Sequence, residues 1–156
     1  AHWVRVVASS DTTATAQFTY GPAEIRDTFV DWARDHGLST GGGRSAIARA
    51  DPDADGIPSL LEFVFGSDPK IANPSTIAVD ASGMRVALRA LSPVEGIGIT
   101  FESSTDLKSW VARPDLLAPD PDQSGVPDGF TRWFFAFDQV IDSARFFARI
   151  TASVDE

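Results

Sequence analysis

The second half of the chain alternates polar and apolar positions with a period of two, which is the pattern of half-buried β-strands. Two N-terminal segments, residues 2–8 and 13–20, alternate in the same way on either side of a Ser-Ser-Asp turn and predict a β-hairpin. In the second half, turn-forming residues separate six predicted strands: 76–80, 84–91, 97–104, 108–112, 130–138 and 145–152. Six short strands with apolar inner faces favour a β-sandwich, Ig-like or jelly-roll-like.

A helical spacing of apolar residues lies between the two strand-forming regions. The apolar face consists of Ile25, Phe29, Trp32 and Ala33, with Pro22 in the first turn and Gly37 at the end. A second, short helix is predicted over residues 60–65 and ends at Gly66. The three consecutive glycines within residues 39–45 predict a flexible connection.

These elements predict an α+β protein, mostly β, in three regions. They are an N-terminal β-hairpin or strand extension (1–21), a helix–loop–helix (22–69) and the β-sandwich (70–156). A chain of 156 residues with 43% hydrophobic residues is long enough to bury a core of its own. No membrane insertion is expected, because the longest apolar runs fall far short of the about 18 residues that a spanning helix needs.

An acidic loop between the two predicted helices carries the clearest chemical signal in the chain. Residues 51–62 place oxygen donors at the first, third, fifth and twelfth positions, and a glycine at the sixth position allows a sharp turn. This EF-hand-like spacing indicates a Ca²⁺ site, because that hard cation takes about six to eight oxygen ligands. The predicted ligands are the side chains of Asp51, Asp53, Asp55 and Glu62 and the backbone carbonyl of Ile57.

The alternative is an acidic turn that only caps the following helix, since Asp, Gly and Pro are common turn residues. That interpretation leaves four neighbouring carboxylates without a Lys or Arg in the loop to offset their repulsion. Pro58 has no N–H with which to pair to a second loop, so we expect a solitary loop rather than a paired sensor. Ser59 and Asp68 are candidates for supplementary ligands.

A second acidic segment, residues 120–128, repeats the first half of this pattern. Thr131 stands where the closing glutamate would be, so Asp120, Asp122 and Asp128 would form an open and weak ion site. The alternative is a polar loop that joins two strands.

The overall composition narrows the class of partner. A net charge of −9 with only two lysines argues against nucleic acid, which requires clustered basic residues. The chain has no cysteine, so disulfides and thiolate metal sites are excluded, and packing and bound ions must supply the stability.

The residues do not single out an active site, so we expect a protein that is not an enzyme. The imidazoles are those of His2 and His36, and no serine lies in a G-x-S-x-G turn. Carboxylate pairs that could serve acid–base chemistry are Asp31 with Asp35 and Asp115 with Asp120. Carbohydrate binding is the other alternative, because exposed tryptophans on a β-sandwich can stack on sugars; the tryptophans concerned are Trp3, Trp110 and Trp133, with Trp32 on the helix. Packing in the core is the simpler role for these side chains.

Four segments together resemble modules near the carboxyl ends of large secreted proteins of Verrucomicrobia and Planctomycetes. The segments are Phe29-x-x-Trp32-Ala33, DPDADGIPSLLEFVFGSDP, ITFESSTDLKSW and RFFARITA, and the similarity covers roughly residues 25–152. The aspartate loop resembles the bacterial thrombospondin type-3 repeat. The resemblance implies a secreted or cell-surface location and calcium at Asp51, Asp53, Asp55 and Glu62, and it implies no particular activity.

We therefore expect a secreted, calcium-stabilised structural or interaction module with protein partners. A sharper hypothesis is that residues 1–20 complete the sheet of a neighbouring copy and so build an extracellular filament or surface assembly by strand addition. The alternative is that this hairpin folds back on its own sandwich.

Overall fold

A computed structural model describes residues 28–72, 77–80, 82–91, 95–136 and 147–155. The predicted N-terminal hairpin lies outside the described residues. In chain order the described part contains three short helices and seven strands, with a 3₁₀ turn before the fifth strand. The helices are α1 (Thr28–Asp35), α2 (Arg44–Arg49) and α3 (Ser59–Phe65). The strands are β1 (Ala78–Val79), β2 (Gly83–Arg89), β3 (Ile97–Ser104), β4 (Val111–Ala112), β5 (Leu117–Pro119), β6 (Phe130–Ala136) and β7 (Phe147–Val154), with the 3₁₀ turn at Pro114–Leu116.

Helices α1 and α3 follow the predicted apolar patterns. Phe29 and Ala33 are the buried residues of α1, and Gly37 follows with a left-handed φ of 65°. Helix α3 ends at Gly66, whose φ of 76° lets its N–H bond to the carbonyl of Glu62 at 2.7 Å. Both glycines therefore end their helices as predicted.

Helix α2 was not predicted, and the expectation of a flexible connection over residues 39–45 was wrong at its C-terminal end. The helix begins at Arg44, directly after the last glycine, and buries Ile47 and Ala48. Six residues are too few to show a helical period in the sequence, so burial against the rest of the fold decides the conformation here.

The strands form two antiparallel sheets, which makes the fold α+β and rich in strands, as expected. Sheet A has the order β1-β2-β6-β5, and sheet B has the order β4-β3-β7. In sheet A, Val86 lies opposite Trp133, and in sheet B, Phe101 lies opposite Ile150.

The predicted strand limits are close to the observed ones in the long strands and poor in the short ones. Strand β3 has the predicted bounds, whereas β1 and β4 shrink to two residues each. Strand β5 was missed because it has three residues, includes a proline and directly follows the 3₁₀ turn.

Two hydrophobic clusters hold these elements together. The larger cluster joins all three helices to β2 and includes the fully buried Phe29, Phe63 and Val86. The smaller cluster joins the two sheets through Met84, Phe101 and Phe135. Helices α2 and α3, which flank the acidic loop, are thus both anchored in the larger cluster.

No helix among the described residues has the length and apolar character needed to cross a bilayer.

Candidate metal centre

The acidic loop is closed at its base by a pair of hydrogen bonds between its two ends. The backbone N–H and the side-chain hydroxyl of Ser59 both donate to the carbonyl of Ala50, at 2.8 and 2.9 Å. Ser59 is fully buried at the start of α3, and Ala50 directly follows α2. The loop over residues 51–58 is therefore held between two anchored helices, with Ser59 serving as its closure.

The three aspartates fold the loop inward by accepting backbone hydrogen bonds from within it. An oxygen of Asp51 accepts from Gly56 at 3.1 Å, an oxygen of Asp53 accepts from Asp55 at 3.2 Å, and an oxygen of Asp55 accepts from Ile57 at 2.8 Å. One carboxylate oxygen from each aspartate lies within 4.8 Å of the others. The structure thus brings together three of the four predicted carboxylates.

Two left-handed residues give the loop its curvature. Gly56 has a φ of 90°, which only glycine adopts without cost, and it occupies the position where the sequence predicted a sharp turn. Ala54 has a φ of 59°, which is unfavourable for alanine by about 1–2 kcal/mol. The loop therefore holds a conformation that local preferences alone do not favour.

Glu62, the fourth predicted carboxylate, is completely buried in α3, and neither of its carboxylate oxygens has a hydrogen-bond partner among the described residues. Burial, followed by the charges of Asp53, Asp55, Asp51 and Asp68, raises the pKa of Glu62 from 4.5 to about 7. One oxygen of Asp53 is likewise buried and without a partner. A buried carboxylate that repels its neighbours and lacks a donor is costly to keep ionised, and either protonation or a nearby positive charge lowers that cost.

The donor set consists of oxygens only, which suits hard divalent cations such as Ca²⁺ and Mg²⁺ rather than softer metals. Glu62 is not one of the three residues whose carboxylate oxygens lie within 4.8 Å of one another. The charges of those three aspartates nevertheless contribute to the raised pKa of Glu62. Ile57, the predicted carbonyl ligand, is half-buried and uses its N–H in the bond to Asp55. Asp68 accepts a bond from the backbone N–H of Lys70 at 3.0 Å.

The second acidic segment has its own positive charges. Asp120 is buried and pairs with Arg85, whose Nε lies 2.9 Å from its carboxylate. The guanidinium of Arg132 donates to the backbone carbonyls of Asp122 and Ser124, each at 2.9 Å. These contacts favour a polar loop held by arginines over an ion site.

Several of the other side chains considered from the sequence have structural contacts. Asp31 pairs with Arg34 at 2.5 Å and Asp115 pairs with Arg113 at 3.2 Å. Among the tryptophans, Trp32 packs in the helical cluster and Trp110 lies under the guanidinium of Arg149, whereas Trp3 lies outside the described residues. Trp133 is half-buried and lines a cleft of about 530 Å³ together with Phe101 and Leu88.

The buried state of Glu62 was not visible in the sequence, although its position in the loop was. Arg85 was missed as the partner of Asp120 because the two residues lie 35 positions apart in the sequence. No pattern within the acidic segment itself reveals that partner.

No protein-family model, no curated protein and no solved structure matches the chain.

Proposed function

We propose that the chain is a structural module stabilised by one Ca²⁺ ion bound in the acidic loop. The ligands in this proposal are the side chains of Asp51, Asp53, Asp55 and Glu62 and the carbonyl of Ile57. The observation that carries the proposal is the buried carboxylate of Glu62, whose two oxygens have no hydrogen-bond partner among the described residues and whose pKa is raised by the charges of the three aspartates as well as by burial. A cation at this point would neutralise the repulsion that raises the pKa of Glu62.

Calcium is preferred over magnesium because of the size and flexibility of the ligand set. Four carboxylates and one carbonyl on a loop can supply the about six to eight oxygens that Ca²⁺ takes at about 2.3–2.6 Å. Magnesium requires a smaller and stricter octahedron and keeps several of its waters, which a buried glutamate does not accommodate well.

A stabilising role is favoured over a switching role by the way the loop is held. Both flanking helices pack in one hydrophobic cluster, and Ser59 and Ala50 join the two ends of the loop. Pro58 also lacks the N–H with which a second loop would couple. Ion binding would therefore tighten an existing arrangement rather than open a new surface.

The proposal also includes the type of β-sandwich and the location of the protein. The Met84, Phe101 and Phe135 cluster between the sheets supports an Ig-like or jelly-roll-like β-sandwich. The resemblance of the loop to thrombospondin type-3-like repeats supports a secreted module of a larger protein. Extracellular modules work with Ca²⁺ dissociation constants of about 10⁻⁴ to 10⁻³ M, a range suited to a solitary loop.

The outer side of β7 has no partner among the described strands, and this supports the interaction role, since such a sheet edge can accept an added strand. Carbohydrate binding is the second candidate, and the observation in its favour is the cleft beside Trp133. Stacking on a sugar would require the indole face to be reached through that cleft.

Calorimetric titration of the full chain with CaCl₂ tests the metal proposal. We expect one binding event, with a much weaker response to MgCl₂. The double change Asp53→Asn with Glu62→Gln should abolish the calcium response. Asp122→Asn is a matched control in the second acidic segment and should leave it intact. Binding that survives in the double variant, or is lost in the control, would contradict the assignment of the site.

A further inference from the structure

Strand β7 is the one long sheet edge in the described part of the chain. Sheet A has the edge strands β1 and β5, with two and three residues, and sheet B has the edge strand β4 with two residues. Strand β7 at the other edge of sheet B has eight residues, and no described strand pairs with its outer side. Long edges promote aggregation unless something covers them, and natural sheets protect such edges with short strands, prolines, charges or a covering segment. Strand β7 contains no proline and one charged residue, Arg149.

An open groove runs along this edge. It has a volume of about 360 Å³ and lies between β7 and the two helices that flank the acidic loop. Its helical wall contains the apolar Ala48, Pro58, Leu60 and Leu61 and the polar Ser45 and Arg49, and its strand wall is residues 150–154. The groove is therefore mainly apolar on the side of the helices and offers backbone hydrogen-bonding groups on the side of the strand.

The chain enters the described structure at the C-terminal end of this edge. Thr28, the first residue of α1, donates a hydrogen bond to Glu95, and the next residue, Gly96, accepts a bond from Asp155 at 2.8 Å. Asp155 directly follows β7 and also accepts a bond from Arg44 at 3.1 Å. The residues that precede Thr28 consequently leave the described fold beside the last residues of β7.

The alternation of residues 13–20, which lie outside the described residues, matches the two faces of this edge. In β7, Ile150, Ala152 and Val154 pack against the larger hydrophobic cluster, whereas Arg149, Thr151 and Ser153 alternate with them on the other face. In residues 13–20 the apolar positions are Ala14, Ala16, Phe18 and Tyr20, and the polar positions are Thr13, Thr15, Gln17 and Thr19. An added strand can therefore direct its apolar side chains into the groove and its polar side chains to the same face as Thr151.

We propose that residues 13–20 of the same chain occupy the groove as a fourth strand of sheet B, paired with the outer edge of β7. Seven residues, 21–27, connect this segment to α1 and span up to about 25 Å when extended. That span is close to the full length of β7, so the tether permits either strand direction; a strand that ends where β7 ends would run parallel to it. The short tether also gives the segment of the same chain a large advantage in effective concentration over that of a second copy. This inference is independent of the metal site.

Amide hydrogen exchange on the full chain tests the pairing. In an edge strand, alternate N–H groups point away from the sheet and exchange quickly, whereas a strand paired on both sides is protected throughout. We expect all amides of β7 to be protected in the monomer. Phe18→Asp should lower the protection of the outward-pointing set by about tenfold or more. Thr19→Asp, the same change one residue later on the polar face, is the matched control and should leave the protection unchanged.

A spin label provides a test that does not depend on destabilising the protein. The chain has no cysteine, so Thr19→Cys gives a unique labelling position. We expect the label to broaden the NMR signals of residues 150–154 and to leave those of β5, at the edge of sheet A, sharp. The same broadening should appear when labelled chain is measured alone, but not when labelled chain is mixed with isotope-labelled chain that carries no spin label.

Several results would overturn the inference. Rapid exchange of alternate β7 amides in the unmodified chain would show that the edge is open. Protection that Phe18→Asp does not change would show that another segment covers it. Broadening in the mixed sample, with protection that rises with protein concentration, would assign the groove to residues 13–20 of a second copy and would instead support assembly by strand exchange.

Discussion

Replacement of Glu62 by Gln should stabilise the ion-free protein at neutral pH, which is unusual for a change at a fully buried residue. Glutamine has nearly the shape of glutamate and carries no charge, so it mimics the protonated carboxyl. The pKa of Glu62 rises from 4.5 to about 7 in the folded chain. At 1.36 kcal/mol per pKa unit, ionising this side chain in the ion-free fold costs about 3 kcal/mol of stability.

The sign of the pH dependence follows from the direction of this shift. Because the pKa of Glu62 is raised in the folded state, the folded chain binds the proton more tightly than the unfolded chain. The contribution of Glu62 to ion-free stability is therefore fully retained below pH 4.5. It falls as the pH rises from 4.5 to about 7, and changes little above that value. Glu62→Gln should remove this decline.

Calcium should cancel this difference in stability between the variant and the unmodified chain. At a free concentration of about one hundred times the dissociation constant, binding adds about 2.7 kcal/mol to the unmodified chain. The glutamine side chain of the variant supplies a single neutral oxygen, so Glu62→Gln should gain much less. The advantage of the variant in chelator should thus disappear when the ion is added.

Urea denaturation, monitored by tryptophan fluorescence, gives the free energy of unfolding. It should be measured at pH 5 and at pH 8, each with chelator and with calcium. Glu102→Gln is the control, because Glu102 is half-buried at the surface and pairs with Arg149 at 2.7 Å. We expect this control to be neutral or mildly destabilising at both pH values. If Glu62→Gln is less stable than the unmodified chain at pH 8 in chelator, then the carboxylate is already compensated and the reasoning fails.

Three further predictions concern the framework of the fold. Gly66→Ala should destabilise the chain by about 2 kcal/mol in thermal or urea denaturation, because φ is 76° and the new Cβ would lie 2.6 Å from the Phe130 ring; Gly41→Ala, where the Cβ meets open space, should be nearly neutral. Arg85→Gln should cost about 2 kcal/mol in the same assay, since it removes the cation paired with buried Asp120, and a neutral result would show that the pair contributes nothing. Backbone N–H groups of the turn after β3 lower the pKa of Asp106 to about 2, so its contribution to stability is present above pH 3.8 and is lost as the pH falls through about 2. Asp106→Asn should flatten that part of an acid-denaturation curve, and an unchanged curve would contradict the assignment.

The sequence predicts elements well where one local pattern decides them. The eight residues of β3 alternate clearly and have the predicted bounds, and Gly66 ends α3 because only glycine adopts the required left-handed backbone easily. Helix α2 is too short to show a period, and its burial against the larger cluster is a property of the whole fold. Local patterns could not predict an element that tertiary packing decides.

In the candidate metal centre, too, some features follow from a local sequence pattern and others depend on tertiary packing. The spacing of Asp51, Asp53 and Asp55 was enough to predict that their carboxylates converge. The burial of Glu62 depends on how α3 packs against α1 and β2, and the sequence holds no local signal for it. The ion itself, the secreted location and the strand exchange between copies stay predictions.

The two acidic segments differ in how the repulsion among their carboxylates can be offset, and under the calcium proposal this difference sets which of the two a protease cuts first. Both begin with Asp-Pro-Asp and continue to a glycine and a proline. The segment over residues 120–128 carries a built-in cation, because Arg85 and Arg132 are part of the chain and no chelator can remove them. Under the calcium proposal, the loop over residues 51–58 takes its cation from the medium. In calcium-poor surroundings a protease should therefore cut that loop before the segment over residues 120–128, so the local ion supply would influence how long the protein survives.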